Sequence, residues 1–206
     1  MVAGSVASAA APQIAITNLV TSAAQAGRPD RVDDVDTSFA RSHVSGEVGF
    51  TDCLVGDGLL HLQRGQAEAG RQLLETVVDN LGESASGYSF SALALARAAT
   101  GDIDGAFAAA RAASGFASTY SDRASAATAT ALAAARSGDA EGAAKALDEV
   151  KAILAATDDR HSRNLLGLAA TTVDLALGRS VAPGAGAEAA ATSPGWLVAY
   201  RLAAGL

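Results

Sequence analysis

The sequence predicts an all-α fold, an α-solenoid of four to five antiparallel helix-turn-helix repeats, and three observations carry that prediction. Ala alone is roughly a quarter of the 206 residues and aromatic residues are only 4%, a composition of helix formers whose side chains let helices approach closely. The segments A-G-R-P-D-R-V (26–32), R-G-Q-A-E-A-G (64–70), T-G-D-I-D-G-A (100–106) and S-G-D-A-E-G-A (137–143) each set a Gly after an Ala- or Leu-rich run and an acid three positions beyond it. Gly27, Gly65, Gly101 and Gly138, with a weaker fifth candidate at Gly178, are spaced by 38, 36, 37 and 40 residues, a repeat of about 37. Finally, apolar residues recur at helical spacing after the turns, as in Ile103, Ala106, Phe107, Ala110 and Ala113, then Ala140, Ala143, Ala144, Leu147 and Val150.

Each of the four segments makes physical sense as the turn of a helical hairpin. Gly accepts the left-handed conformation that closes one helix, and Asp102 or Asp139 is placed to cap the N–H groups of the next. In the first unit Pro29 suits a first helical position, because its φ is fixed and its missing N–H would have no partner there. Asp30, Glu68, Asp104 and Glu141 then fall in a first turn, where the helix dipole favours an acid. The predicted pairs are 13–26 with 29–43, 51–64 with 66–81, 87–100 with 102–115, 121–137 with 139–156, and 159–177 with an unassigned partner. No single helix buries its apolar stripe alone, so neighbouring pairs are expected to stack on a continuous core.

At this point the chain resembles the tetratricopeptide repeat family. The third unit carries the likeness best, with Phe90, Leu93, Ala94, Gly101, Asp102, Ala106 and Ala113 at the family's offsets. The fourth keeps Gly138, Asp139, Ala143 and Val150 but has Ala127 and Thr130 where a large residue is usual. The spacing of 36 to 40 exceeds the family's 34, the terminal Pro is missing, and Gly70 replaces Ala in the second unit. Longer repeats of this kind are similar to those beside the effector domains of large bacterial transcriptional regulators or nucleotide cyclases. The Ala, Gly, Arg and Asp bias with only Lys145 and Lys151 as lysines resembles the product of a high-GC bacterial genome.

The resemblance implies that first helices line a concave, partner-binding face. Projected onto this chain, that face comprises Asp52, Val55, Leu59, Leu62 and Gln63; Tyr88, Ser91, Leu95, Ala98 and Ala99; and Ser125, Thr128, Leu132, Ala135 and Arg136. It is small, apolar and weakly charged, suited to an amphipathic helix or extended segment with Tyr88 and Arg136 as polar anchors. It lacks the Lys and Asn set with which some family members clamp a terminal carboxylate. The implied function is noncatalytic protein or peptide binding, as the sensor or partner-binding part of a signalling or transcriptional regulator. The alternative is a small-molecule-sensing pocket inside the superhelix.

Other classes of function find little support. A net charge of −7 and no basic run leave nothing to neutralise a phosphate backbone, so nucleic-acid binding is not expected. No stretch reaches the roughly 18 apolar residues of a membrane span, and one cysteine, Cys53, forms no internal disulfide, so a cytoplasmic setting is expected. No Gly-rich phosphate loop, nucleophile elbow or His-rich zinc pair occurs, so no catalytic residue, cofactor or metal is assigned. Gly56-Asp57-Gly58 has no preceding strand pattern or following Lys and reads as no nucleotide loop. Asp33, Asp34 and Asp36 read as a solvated helix start, His43, His61 and His161 as structural or surface residues, and Cys53 as a small core residue. Residues 1–11 are expected to be a flexible leader, 12–181 the repeat domain and 182–195 a Pro/Gly/Ala-rich arm. A helix over 196–206 is expected to cap the last repeat; its alternative is docking or homodimerisation through Trp196 and Tyr200.

Overall fold

The computed structural model describes residues 6–41, 48–117, 119–156 and 160–180, and every regular element among them is helical. In order these are α1 (Val6–Gln25), a 3₁₀ turn (Pro29–Val32), α2 (Ser38–Arg41), α3 (Val48–Gln63), α4 (Ala67–Leu81), a second 3₁₀ turn (Gly82–Ser84), α5 (Gly87–Thr100), α6 (Ile103–Phe116), α7 (Tyr120–Arg136), α8 (Ala140–Ala155) and α9 (Arg160–Ala176). From α3 onward the ends fall within about three residues of those the sequence predicts.

One turn recurs after α1, α3, α5, α7 and α9. Gly27, Gly65, Gly101, Gly138 and Gly178 all have positive φ, between 63° and 87°. In each, the Gly N–H and the N–H after it reach back to two carbonyls of the closing helix. Gly101 donates to Ala98 at 3.3 Å and Asp102 to Arg97 at 3.0 Å; Gly138 donates to Ala135 at 3.1 Å and Asp139 to Ala134 at 2.9 Å. This is the Schellman arrangement, which satisfies carbonyls that a helix end leaves unpaired. The next helix then starts on a side-chain cap. Asp102 accepts from the Gly105 N–H at 3.0 Å and Asp139 from the Gly142 N–H at 2.9 Å. A Cβ at Gly105 or Gly142 would collide with that same carboxylate, which is why a second Gly follows each capping Asp in these turns. Thr119 and Asp122 form a reciprocal capping box at the start of α7.

Packing follows the chain. α1 lies on α3, α3 on α5, α5 on α7 and α7 on α9, while α4, α6 and α8 each join the two helices that flank them in sequence. α7 is enclosed on several sides: Ala126, Ala129, Ala131, Ala133, Ala134 and Ala135 are all at most 2% exposed. Alanine on that many faces lets α5, α6, α8 and α9 all pack against one helix. Where α3 crosses α4 even a methyl group is too large, since a Cβ at Gly70 would sit 2.8 Å from the Gly58 carbonyl oxygen and one at Gly58 would sit 2.6 Å from Leu74. That accounts for Gly70 at the position where the repeat family carries Ala. Between successive hairpins, Glu75 of α4 takes Arg71 at 2.9 Å and Arg97 of α5 at 3.2 Å. These half-exposed pairs add little net stability and chiefly fix the relative register of α4 and α5.

Two expectations are corrected. Residues 29–43 do not form the second helix of a first hairpin: a single 3₁₀ turn and the four-residue α2 stand there. The Asp side chains of this segment serve other partners. Asp30 pairs with Arg28, Asp33 with Arg64, and Asp36 accepts the Ser38 N–H at 2.9 Å, local bonds that compete with a continuous helix. At the start of the chain, helix α1 begins at Val6, inside the segment expected to be a flexible leader, and runs through Pro12 at the cost of one backbone hydrogen bond. The arm at 182–195 and the helix expected over 196–206, with Trp196 and Tyr200, lie outside the described residues.

Gly138→Ala, at φ 81°, is expected to lower the unfolding free energy; the left-handed conformation costs a residue with a Cβ about 1–2 kcal/mol. Gly115→Ala, inside α6 with open space around it, is expected to raise it by about 0.5–1 kcal/mol. Urea unfolding followed by circular dichroism checks both signs.

Candidate functional site

The residues projected onto the concave face come from three consecutive helices of the inner row, α3, α5 and α7, and the structure sorts them by burial. Val55, Leu62, Gln63, Ser91, Ala98, Leu132 and Ala135 are buried, at 8% exposure or less. Burial between helices makes these seven packing residues and leaves no side-chain surface for a partner. Gln63 donates to the Ala24 carbonyl at 2.7 Å and so ties the last turn of α3 to the end of α1. Ser91 returns its hydroxyl to the Gly87 carbonyl at 2.8 Å within its own helix.

The remaining projected residues are accessible to solvent. Asp52 is exposed; Leu59, Tyr88, Leu95, Ala99, Ser125, Thr128 and Arg136 are half-buried. Leu59, Tyr88, Leu95 and Ala99 rest on the core formed by α1, α3, α4 and α5, and Leu95 also touches the cluster that holds Leu132. The structure thus sets the half-buried Leu59 of α3 and Tyr88, Leu95 and Ala99 of α5 on one core, with Leu95 reaching the buried Leu132 of α7. Tyr88 and Asp52 share one end: burial, and secondarily the Asp52 charge, push the Tyr88 phenol well above its usual value, and desolvation raises the Asp52 carboxyl. The Tyr88 hydroxyl is buried without a hydrogen-bond partner. At the other end Thr128 bonds back to the Ala124 carbonyl at 2.8 Å, which leaves its methyl group as the larger contact surface.

Sequence reasoning missed a second feature. A cavity of about 260 Å³ lies where residues 32–37 pass over α3, walled by Val20, Val32, Val35 and Leu60, with Asp57 and Arg64 also facing it. Asp57, the central residue of Gly56-Asp57-Gly58, stands in the middle of helix α3 and not in a loop, and only 7% of it is exposed. Among the described residues its one direct hydrogen bond comes from the Thr37 hydroxyl at 3.0 Å, while the Arg41 guanidinium lies 3.6 Å away. The signal available was a charged residue between two glycines in an otherwise apolar helix. Its meaning depends on the irregular 29–41 segment, which no helical periodicity describes.

His61 lies beside this cavity, His43 is outside the described residues and His161 belongs to α9. Among the described residues no group of three or more His, Cys, Asp or Glu side chains is placed to hold a metal ion. No helix among them is long and apolar enough to cross a membrane. Cys53 is fully buried on α3; burial pushes its thiol up to about 11, against the opposing effect of the Thr17 hydroxyl. Comparison with protein-family models, with curated proteins and with solved structures found no match.

A thiol so held stays protonated and enclosed at neutral pH. Near pH 8 the folded protein is expected to react with an aromatic disulfide reagent at least ~100-fold more slowly than the urea-unfolded chain. The folded thiol also keeps its proton to higher pH than an unfolded one, 9.0 against about 11, so this group makes stability fall as pH rises through that window. Stopped-flow labelling and urea melts at stepped pH measure the two effects.

Proposed function

We propose that the chain is an α-solenoid of helical hairpins, similar to tetratricopeptide repeats with a period of about 37 residues, that binds a protein or peptide segment along its inner row of helices. The recurring Schellman turn and the packing of each helix on its chain neighbours support the repeat reading. The accessible apolar strip of Leu59, Tyr88 and Leu95, continued by Thr128 on α7, is the observation that carries the binding role. Its apolar character suits an amphipathic helix, whose i, i+3 and i+4 side chains would follow the strip from α3 to α7. Asp52 and Arg136 supply one acidic and one basic anchor toward its margins. In this reading the module is noncatalytic, the partner-binding part of a cytoplasmic bacterial signalling or transcriptional regulator. The Trp196 and Tyr200 segment then either covers the last hairpin or docks on a second copy.

A photo-reactive amino acid placed at Thr128 or at Ser125 is expected to capture a discrete partner from lysate of the source organism. The same group at Glu149, on the exposed face of α8, is expected to capture none. Leu95→Arg, with helicity verified by circular dichroism, is expected to abolish the capture. Equal labelling from both faces, or none from α7, overturns the assignment.

A further inference from the structure

The cavity between the 29–37 segment and α3 differs in character from the apolar strip, because Asp33, Thr37, Asp57, Arg64 and Gln66 line it together with Val20, Val32, Val35 and Leu60. Asp57 is the most buried acid among the described residues, and its carboxylate is under-supplied with donors. Oδ2 accepts from Thr37 Oγ1 at 3.0 Å and has the solvent-exposed Arg41 at 3.6 Å. Oδ1 faces His61 Nε2 at 3.9 Å, too far for a hydrogen bond. His61 also presents its Nδ1 closely to Gln66 Oε1, an acceptor, so the proton of a neutral ring sits on Nδ1 and Nε2 turns a lone pair toward the acid. An ionised carboxylate has about four acceptor positions; this one fills a single position within the protein.

Two turns further along the same helix stands a complementary group. Arg64 donates only through Nη2, to the Pro29 carbonyl at 3.0 Å and to Asp33 at 2.7 Å. Its Nε and Nη1 have no acceptor among the described residues, and Asp33, which holds the guanidinium in place, is itself largely exposed. Seven residues separate Asp57 from Arg64, about 10 Å along a helix. The same cavity is lined by Val20, Val32, Val35 and Leu60 and by the polar side chains of Asp33, Thr37 and Gln66. The volume of about 260 Å³ equals roughly nine waters, space for a ligand of about eight to ten non-hydrogen atoms.

We infer that this cavity binds a short zwitterion of the ω-amino acid class, with its ammonium group on Asp57 and its carboxylate on Arg64. A primary ammonium brings three donors to the acid that lacks them. A carboxylate takes the free N–H groups of an arginine already oriented by Asp33. A chain of about four methylenes is the length assigned to bridge two groups seven residues apart, with Val20, Val32, Val35 and Leu60 as its apolar contacts in the cavity. The assignment stands apart from the peptide-binding reading, since it uses none of the strip residues.

Isothermal titration of the full chain with 5-aminovalerate tests it, with pentylamine and pentanoate as probes that each lack one charge. The zwitterion is expected to bind at least tenfold more tightly than either. Asp57→Asn and Arg64→Gln are each expected to weaken it at least tenfold while circular dichroism remains unchanged. Val35→Trp, which fills the cavity from the non-helical segment and leaves α3 intact, is expected to abolish binding. No heat from the wild-type protein at millimolar 5-aminovalerate overturns the proposal, as does equal affinity for pentylamine or undiminished binding by the folded Val35→Trp variant.

Discussion

Close approach between helices, made possible by alanine and glycine at the crossing points, is the constraint on which the remaining features rest. A chain with so few aromatic residues cannot fill wide gaps, so its helices must come near enough for small side chains to touch. α7 shows the result, with buried alanines on faces turned to four other helices. At the α3–α4 crossing the limit is reached at Gly70, where the Gly58 carbonyl leaves no room for a methyl group, and at Gly58, where the Leu74 side chain leaves none. Helices of this kind have little apolar surface each, and stability comes from repeating the contact along the chain.

Such packing needs the chain to reverse tightly and in the same manner each time. The left-handed Gly and the Asp that follows it do this in two adjoining steps, one satisfying the carbonyls of the helix that ends and the other the N–H groups of the helix that begins. Side chains then have restricted places to go. Residues of α3, α5 and α7 that face neighbouring helices vanish into the core, while others, among them Leu59, Tyr88 and Leu95, keep partial access to water. Where the rhythm breaks, between α1 and α3, the segment that fails to form a helix spans α3 and encloses charged residues with aliphatic ones. The irregular segment thus helps to form a polar cavity with a buried carboxylate in the wall.

The helical class and the turn positions were legible because they are set locally. Positive φ at Gly101, a cap from Asp102 and a helix dipole acting on Asp104 depend on residues within one turn of each other, and periodicity supplies the rest. Residues 29–43 were misread because Pro29 and the acids that follow have two plausible local meanings, a helix start or a chain of side-chain bonds. Arg64, more than thirty residues away, stabilises the second by engaging Asp33 and the Pro29 carbonyl. A register projected from the third unit assigns residues to α3, α5 and α7, but the rotation of each helix about its axis decides between Leu59, half-buried, and Val55, fully buried.

What the sequence by itself determined was therefore the helical class, the Gly-Asp turns and the boundaries from α3 onward, since each follows from backbone preferences and hydrogen bonds among near neighbours. Only the tertiary structure decided which inner-row side chains stay accessible, how Gly58 meets Gly70, and that Asp57 lies buried opposite a non-helical strap. Those outcomes turn on distances between segments remote in sequence, which hydrophobic period and turn chemistry do not encode.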